Sequence, residues 1–347
     1  MSDTIVKQIS LDDLIVNKYI FDSFQGVDVV SIDKSNYGQN QNEKLNYNLY
    51  GLARSNNDAK EVVVRLSNLG FYLVEHKQGV STFFNYKNKK LFDNIFLKEN
   101  VFKFGEIYYS IEFPVGVKKP SRLLVILSSV SDLPYNADIQ RRCFNKNFPS
   151  AGKYIPYDTA ILRISDVGGV VGSFYINNNS NNKIEMDIVR LLESIDNLFE
   201  IKRENVVLYG GSKGGFAALY YGMLCGLKFI SVDPMVTDDY HQKTYNDSHF
   251  TKGTFPVSKQ DKIKNLLKKG VKKDFNGYIV TSKKSPIYNY IDDFDFPDNC
   301  SLVDVRHKDI TNHVNVSLNT INIVTMLFNL MLYSFNNKGS LKIFHEQ

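Results

Sequence analysis

The sequence predicts an α/β protein, a mostly parallel sheet flanked by helices and preceded by a small α+β region. Two observations carry this expectation. From Arg122 onward, short apolar runs alternate with longer amphipathic segments, the rhythm of parallel strands joined by crossover helices. Within that rhythm the apolar run 206–209 leads straight into Gly210-Gly211-Ser212-Lys213-Gly214, and a helix-like segment, 216–224, follows at once.

The elements follow in order. Residues 58–69 carry Val62, Val63, Leu66 and Leu69 at helical spacing, and Gly70 stops the helix. Residues 71–76 and 81–86 read as strands around Gln78-Gly79, and 106–113 as a third, because Ile107, Tyr109, Ile111 and Phe113 alternate. Lys118-Lys119-Pro120 is the expected joint between an N-terminal α+β region, 1–118, and a catalytic domain, 119–347. In that domain 123–127 and 159–164 are strands, 177–182 is a polar and flexible loop, and 183–199 is an amphipathic helix. Strands at 206–209, 228–232, 277–281 and 301–306 come next, and one long helix, 315–335, closes the chain. The long insertion 237–275 is expected to form a lid. It holds Lys259, Lys262, Lys264, Lys268, Lys269, Lys272 and Lys273. These read either as a solvated helix face or as a cationic surface for an anionic polymer, with Lys268, Lys269, Lys272 and Lys273 as substrate contacts.

Composition narrows the class. The 347 residues suffice for one large α/β domain with an additional subdomain, and a net charge of +5 is too mild to argue for nucleic acid. Three widely spaced cysteines, Cys143, Cys225 and Cys300, suggest neither a disulfide framework nor a zinc site, and no metal is expected. Residues 1–20 lack the apolar core of a signal peptide, and the apolar stretch 321–335 is too short to span a membrane. The expectation is a cytoplasmic enzyme, with peripheral attachment at the inner face of the membrane left open.

The pattern G-x-S-x-G between a strand and a helix is the arrangement of a nucleophile elbow. Glycines flank the serine because side chains there would strike the neighbouring strand and helix. The Ser212 hydroxyl is then exposed at the C-terminal edge of the sheet, where the following helix aims its first amides. The competing reading is a glycine-rich turn with a bystander serine. A phosphate-binding loop of the G-x-x-x-x-G-K-[ST] type is not matched.

A nucleophilic serine needs a base, and the base an orienting acid. In α/β-hydrolases the chain order is Ser, acid, His. His313, just before the closing helix, is the expected base, and His307 the alternative; His241 and His249, in the insertion, are possible substrate contacts. The usual slot for the acid, 282–286, holds no carboxylate. Asp233 ends the strand beyond the elbow and is preferred to Asp292 or Asp293; a Ser–His dyad without an acid is the remaining option. The oxyanion hole is expected to pair the amide of Lys213 with that of Ser129, in the loop after the first core strand. The Lys213 side chain either favours an anionic substrate or points to solvent.

The block Leu-Tyr-Gly-Gly-Ser-Lys-Gly-Gly-Phe-Ala-Ala-Leu-Tyr-Tyr-Gly (208–222), with Leu-Gly-Phe-Tyr (69–72) and Asn-His-Val-Asn (312–315), resembles the XcbB/CpsF capsular polysaccharide biosynthesis proteins. These are more distantly similar to the α/β-hydrolase-like, glycan-acetylating subunit of accessory Sec systems. The resemblance spans about residues 60–320 and implies Ser212 as nucleophile and His313 as base, while Ser285 departs from the Asp or Glu of the acid slot. It implies a capsule pathway, and with it O-acetylation of capsular polysaccharide or its precursor from acetyl-CoA as co-substrate, with other capsule-synthesis proteins as partners. A carbohydrate esterase or deacetylase, and a non-catalytic capsule-assembly scaffold, are the alternatives.

Overall fold

The computed structural model describes residues 4–34, 47–131, 137–271 and 276–333. Twelve strands are described there: β1 (Val6–Ser10), β2 (Val29–Asp33), β3 (Phe71–Lys77), β4 (Val80–Asn85), β5 (Val101–Phe104), β6 (Ile107–Glu112), β7 (Arg122–Leu127), β8 (Thr159–Ile164), β9 (Val206–Gly211), β10 (Lys228–Val232), β11 (Gly277–Thr281) and β12 (Cys300–Asp304). The helices are α1 (Leu11–Val16), α2 (Leu49–Ala53), α3 (Asn57–Asn68), α4 (Lys89–Phe96), α5 (Ile139–Cys143), α6 (Ile184–Phe199), α7 (Lys213–Cys225), α8 (Asp239–Tyr245), α9 (Lys259–Lys269), α10 (Tyr288–Asp292), α11 (His313–Asn319) and α12 (Ile321–Leu332).

Eight strands form the main sheet in the order β12-β11-β10-β9-β7-β8-β6-β5. All pairings from β12 to β8 are parallel, and β6 and β5 add on antiparallel. Central strands buried on both faces need side chains that are apolar in both phases of the pleat, which is why β7 and β9 read as continuous apolar runs. Leu123, Val125, Leu127 and Leu208 pack in the layer that holds α6 and α7. Leu124, Ile126, Val207 and Tyr209 alternate to the other face, where α12 supplies Val324, Leu327, Phe328 and Met331. A second sheet, β1-β2-β4-β3, lies entirely within residues 6–85.

Three expectations change. Strands β5 and β6 precede the expected joint at 118, yet they extend the main sheet through the pairing of β6 with β8. The closing helix is two helices bent by 59°. The break falls at Thr320, a β-branched residue whose hydroxyl bonds back to the Val316 carbonyl at 2.8 Å. The asparagine-rich loop is a built turn: Asn178 Oδ1 accepts from the amides of Ser180 (3.0 Å) and Asn181 (2.9 Å), and both Asn178 and Asn181 are buried. No single helix among the described residues is long and apolar enough to cross a membrane.

Candidate active site

The elbow is built from local sterics. β9 runs into Ser212, which takes φ +56° and ψ −112°, and α7 begins at the next residue. A residue with a Cβ at such angles is strained by about 1–3 kcal/mol and persists only when its surroundings hold it. Here the Ser212 amide donates to the Val232 carbonyl at 2.9 Å, and its own carbonyl accepts from Phe216 and Met235. The two glycines of the pattern have separate steric reasons. A Cβ on Gly210 would stand 2.1 Å from the Gly214 carbonyl oxygen, and one on Gly214 would stand 2.2 Å from that of Leu127.

Across the elbow, Asn312 caps α11 by accepting from the Asn315 amide, which sets His313 at the first position of that helix. His313 Nε2 lies 2.8 Å from Ser212 Oγ, and His313 Nδ1 lies 2.7 Å from Asp233 Oδ2. Because an ionised carboxylate only accepts, Nδ1 carries the proton and donates to Asp233, leaving Nε2 to accept from the serine hydroxyl. Asp233 is fully buried at the end of β10 with φ +42°. Thr281 Oγ1 donates to its Oδ1 at 2.5 Å and Ser285 Oγ to its Oδ2 at 2.7 Å. The structure thus brings Asp233 to His313, whereas Asp292 and Asp293 lie exposed at the end of α10. Ser285, standing in the slot that lacks a carboxylate, serves the acid from the turn after the neighbouring strand, β11. Sequence reasoning missed Thr281 and Ser285 as partners; their one signal was two hydroxyls flanking the end of the strand that pairs with β10. His307 takes no part: its Nδ1 accepts from the Asp309 amide.

Parallel strands in this order, a serine in a left-handed turn between β9 and α7, and a histidine opening the closing helices decide the fold. It is α/β-hydrolase-like. No protein-family model matches the chain, and no curated protein does. Among solved structures the chain is similar to FphF, a fluorophosphonate-binding serine hydrolase of Staphylococcus aureus (14% identity, TM-score 0.42, covering 64% of this chain and 91% of that one). It is similar also to the Glycosylation Associate Protein (Gap123) complex from Streptococcus agalactiae (14%, 0.49, 75% of this chain and 52% of that one). A third is Est1E from Butyrivibrio proteoclasticus (11%, 0.44, 68% and 98%).

Four site expectations are corrected by position. The Ser129 amide is already engaged: it donates to Asn147 Oδ1 at 2.9 Å, and Asn147 Nδ2 returns a bond to Ser129 Oγ at 2.8 Å. Among the described hydrogen bonds none engages the next amide, that of Val130. The Lys213 side chain points neither to solvent nor to substrate; it is wholly buried and pairs with Asp166 at 2.8 Å. Residues 239–258 bring His241 to the triad, but further along the expected lid lies α9, a crossover helix packed beside α7 on its way to β11. Its first residue, Lys259, is buried against Asp238 (2.6 Å), and Lys262 pairs with Glu185 (2.8 Å). Lys268 and Lys269 end that helix, about 14 to 15 Å beyond Lys259 at about 1.5 Å per residue. They sit just ahead of the start of β11, the edge of the sheet opposite Ser212, and so do not reach a substrate on the serine. Lys272 and Lys273 lie outside the described residues.

Segment 239–258 gathers two histidines beside the triad. The His241 ring lies 6.2 Å from that of His313 and 4.4 Å from that of His249. The Nδ1 atoms of both are buried without a hydrogen-bond partner among the described residues. Burial, aided by the charges of His313, Lys259 and Arg54, pushes His241 down to about 3, and burial first of all holds His249 well below the ordinary histidine range. The sign follows: the unfolded chain binds their protons below about pH 6.5 while the folded chain holds both neutral, so this stability is complete above that pH and is lost as pH falls, down to about 3 for His241. Each contributes a slope of up to about 1.4 kcal/mol per pH unit. The drop in Tm between pH 7 and pH 5 should therefore shrink in His241→Leu; a parallel drop in variant and parent would refute this.

Proposed function

We propose that this chain is a serine acyltransferase that O-acetylates a capsular polysaccharide or its precursor, taking the acetyl group from acetyl-CoA through an acyl-Ser212 intermediate. The observation that carries the acyl-transfer part is the continuous chain Ser212 Oγ–His313–Asp233, two hydrogen bonds of 2.8 and 2.7 Å anchored on a strained elbow. The capsule part rests on the resemblance of the 208–222 block. In this reading Ser212 Oγ attacks the thioester carbonyl while His313 Nε2 takes its proton, and Asp233 steadies the imidazolium. The Lys213 amide, first in α7 and without an intrahelical partner, faces the developing oxyanion together with an amide of the 128–130 loop, for which Val130 is the free candidate. His313 then protonates the leaving thiolate. It next deprotonates a sugar hydroxyl, whose oxygen attacks the acyl-serine carbonyl, and it returns that proton to Ser212 Oγ as the acyl–serine bond breaks.

Transfer to a sugar rather than to water requires a covered site. His313 is 15% exposed. The segment above it is held from the N-terminal region by Arg54 to Asp247 (2.7 Å) and by Asn68 to the Gly253 carbonyl (3.0 Å). The test is incubation with labelled acetyl-CoA, with and without capsule polymers, followed by mass spectrometry. The expected result is a 42 Da adduct (roughly, one acetyl replacing one hydrogen) on Ser212 that passes to polymer hydroxyls, as in double-displacement catalysis. Label lost to water at one rate whether or not polymer is present would assign an esterase instead, and no adduct from any acyl donor would sink the acyl-enzyme reading.

A further inference from the structure

Asp166 and Lys213 form a buried ion pair that the triad does not use, both side chains being 0% exposed. Asp166 follows β8 at the catalytic edge of the sheet and gathers five donors: Ser173 N (3.1 Å), Ser173 Oγ (2.7 Å), Phe174 N (3.0 Å), Tyr175 N (2.9 Å) and Lys213 Nζ (2.8 Å). Phe174 and Tyr175 both stand at positive φ, +52° and +61°, an unusual backbone for residues with a Cβ, and the carboxylate is what takes up their amides. So held, the Tyr175 hydroxyl accepts from the Ser128 amide and donates to the Ile164 carbonyl at 3.0 Å. Ser128 begins the loop after β7, and the carbonyl before it fills the space beside Gly214. One carboxylate therefore grips both sides of the elbow: the residue after the nucleophile by its side chain, and the facing loop through Tyr175. A buried pair is a poor route to stability compared with apolar packing, so its use here calls for a geometric reason.

We propose that Asp166 is a positioning residue for the oxyanion hole: through Lys213 on one side and Tyr175 on the other, it sets the separation between the Lys213 amide and the 128–130 loop. The proposal rests on the acyl-serine reading. Its probes are 4-nitrophenyl acetate, for kcat and KM, and a trifluoromethyl ketone, which binds as a tetrahedral adduct on a serine and so reports the oxyanion hole. Tyr175→Phe deletes one hydroxyl with little change of shape. It should lower kcat on the order of 10- to 100-fold, the scale expected of a displacement near 1 Å, and weaken the ketone by a similar factor. KM and the pH dependence of kcat should hold, since His313 and Asp233 are untouched. Asp166→Asn should do the same more strongly; if it does not fold, Tyr175→Phe decides. A folded Tyr175→Phe that keeps kcat and ketone affinity within about twofold of the parent would overturn the proposal, as would a raised KM with unchanged kcat, which marks loss of uniform binding. Unimpaired turnover in Ser212→Ala would bring down the acyl-serine reading itself, a result distinct from either.

Discussion

Replacing Ser212 by alanine is expected to lower kcat for acyl transfer on the order of 10⁶-fold, the loss seen when a triad nucleophile is removed. Alanine keeps the Cβ that already sits at φ +56° and removes only the hydroxyl that bonds His313 Nε2. The amide bond from Ser212 to Val232 and the amides of α7 are backbone groups, so Tm should stay close to that of the parent. Turnover retained above roughly a thousandth of the parent would mean that another group attacks the acyl carbon, since binding and an oxyanion hole alone give only about 10³- to 10⁴-fold over the uncatalysed rate, far below that level.

Asp233→Asn has the next largest expected effect, a fall in kcat of about 10³- to 10⁴-fold. Asparagine is nearly isosteric, and the Thr281 and Ser285 hydroxyls can turn to meet an amide as they meet a carboxylate. What the amide cannot do is accept the Nδ1 proton through its nitrogen and stabilise an imidazolium, so His313 loses the tautomer that serves Ser212. Asp292→Asn, exposed on α10, should leave kcat within about twofold, as surface substitutions away from a site do. Assaying both variants on one acetyl ester settles the acid, and a larger loss in Asp292→Asn would remove Asp233 from that role.

How much of this was legible depended on how local each feature is. α3 and the strands from β7 to β11 appeared in the sequence because each carries its own period and stop signals, such as Gly70 after α3. The kink at Thr320 was hidden because the apolar pattern continues through it, and the small sheet was read only in part because β1 and β2 are short, five residues each, and β1 buries none of its residues. The lysines of 259–269 looked alike as a charge run, yet Lys259 is buried against Asp238 while Lys268 is exposed. A composition count does not record which face of α9 meets α7.

By itself the sequence determined the elbow. Strand, glycine-flanked serine and helix are contiguous, and their steric reasons, Gly210 against Gly214 above all, act within a few residues. It also placed His313 at the entry to the closing helices, where it is the first residue of α11. Only the tertiary structure decided which carboxylate meets that histidine, where the Lys213 side chain goes and which amides of the 128–130 loop are free. Those outcomes rest on contacts between residues 80 positions apart for His313 and Asp233, 48 for Thr281 and Asp233, and 47 for Ser128 and Tyr175. Such pairs are made by the order in which β7, β8, β9, β10 and β11 line up in the sheet, and no local pattern in the chain encodes that order.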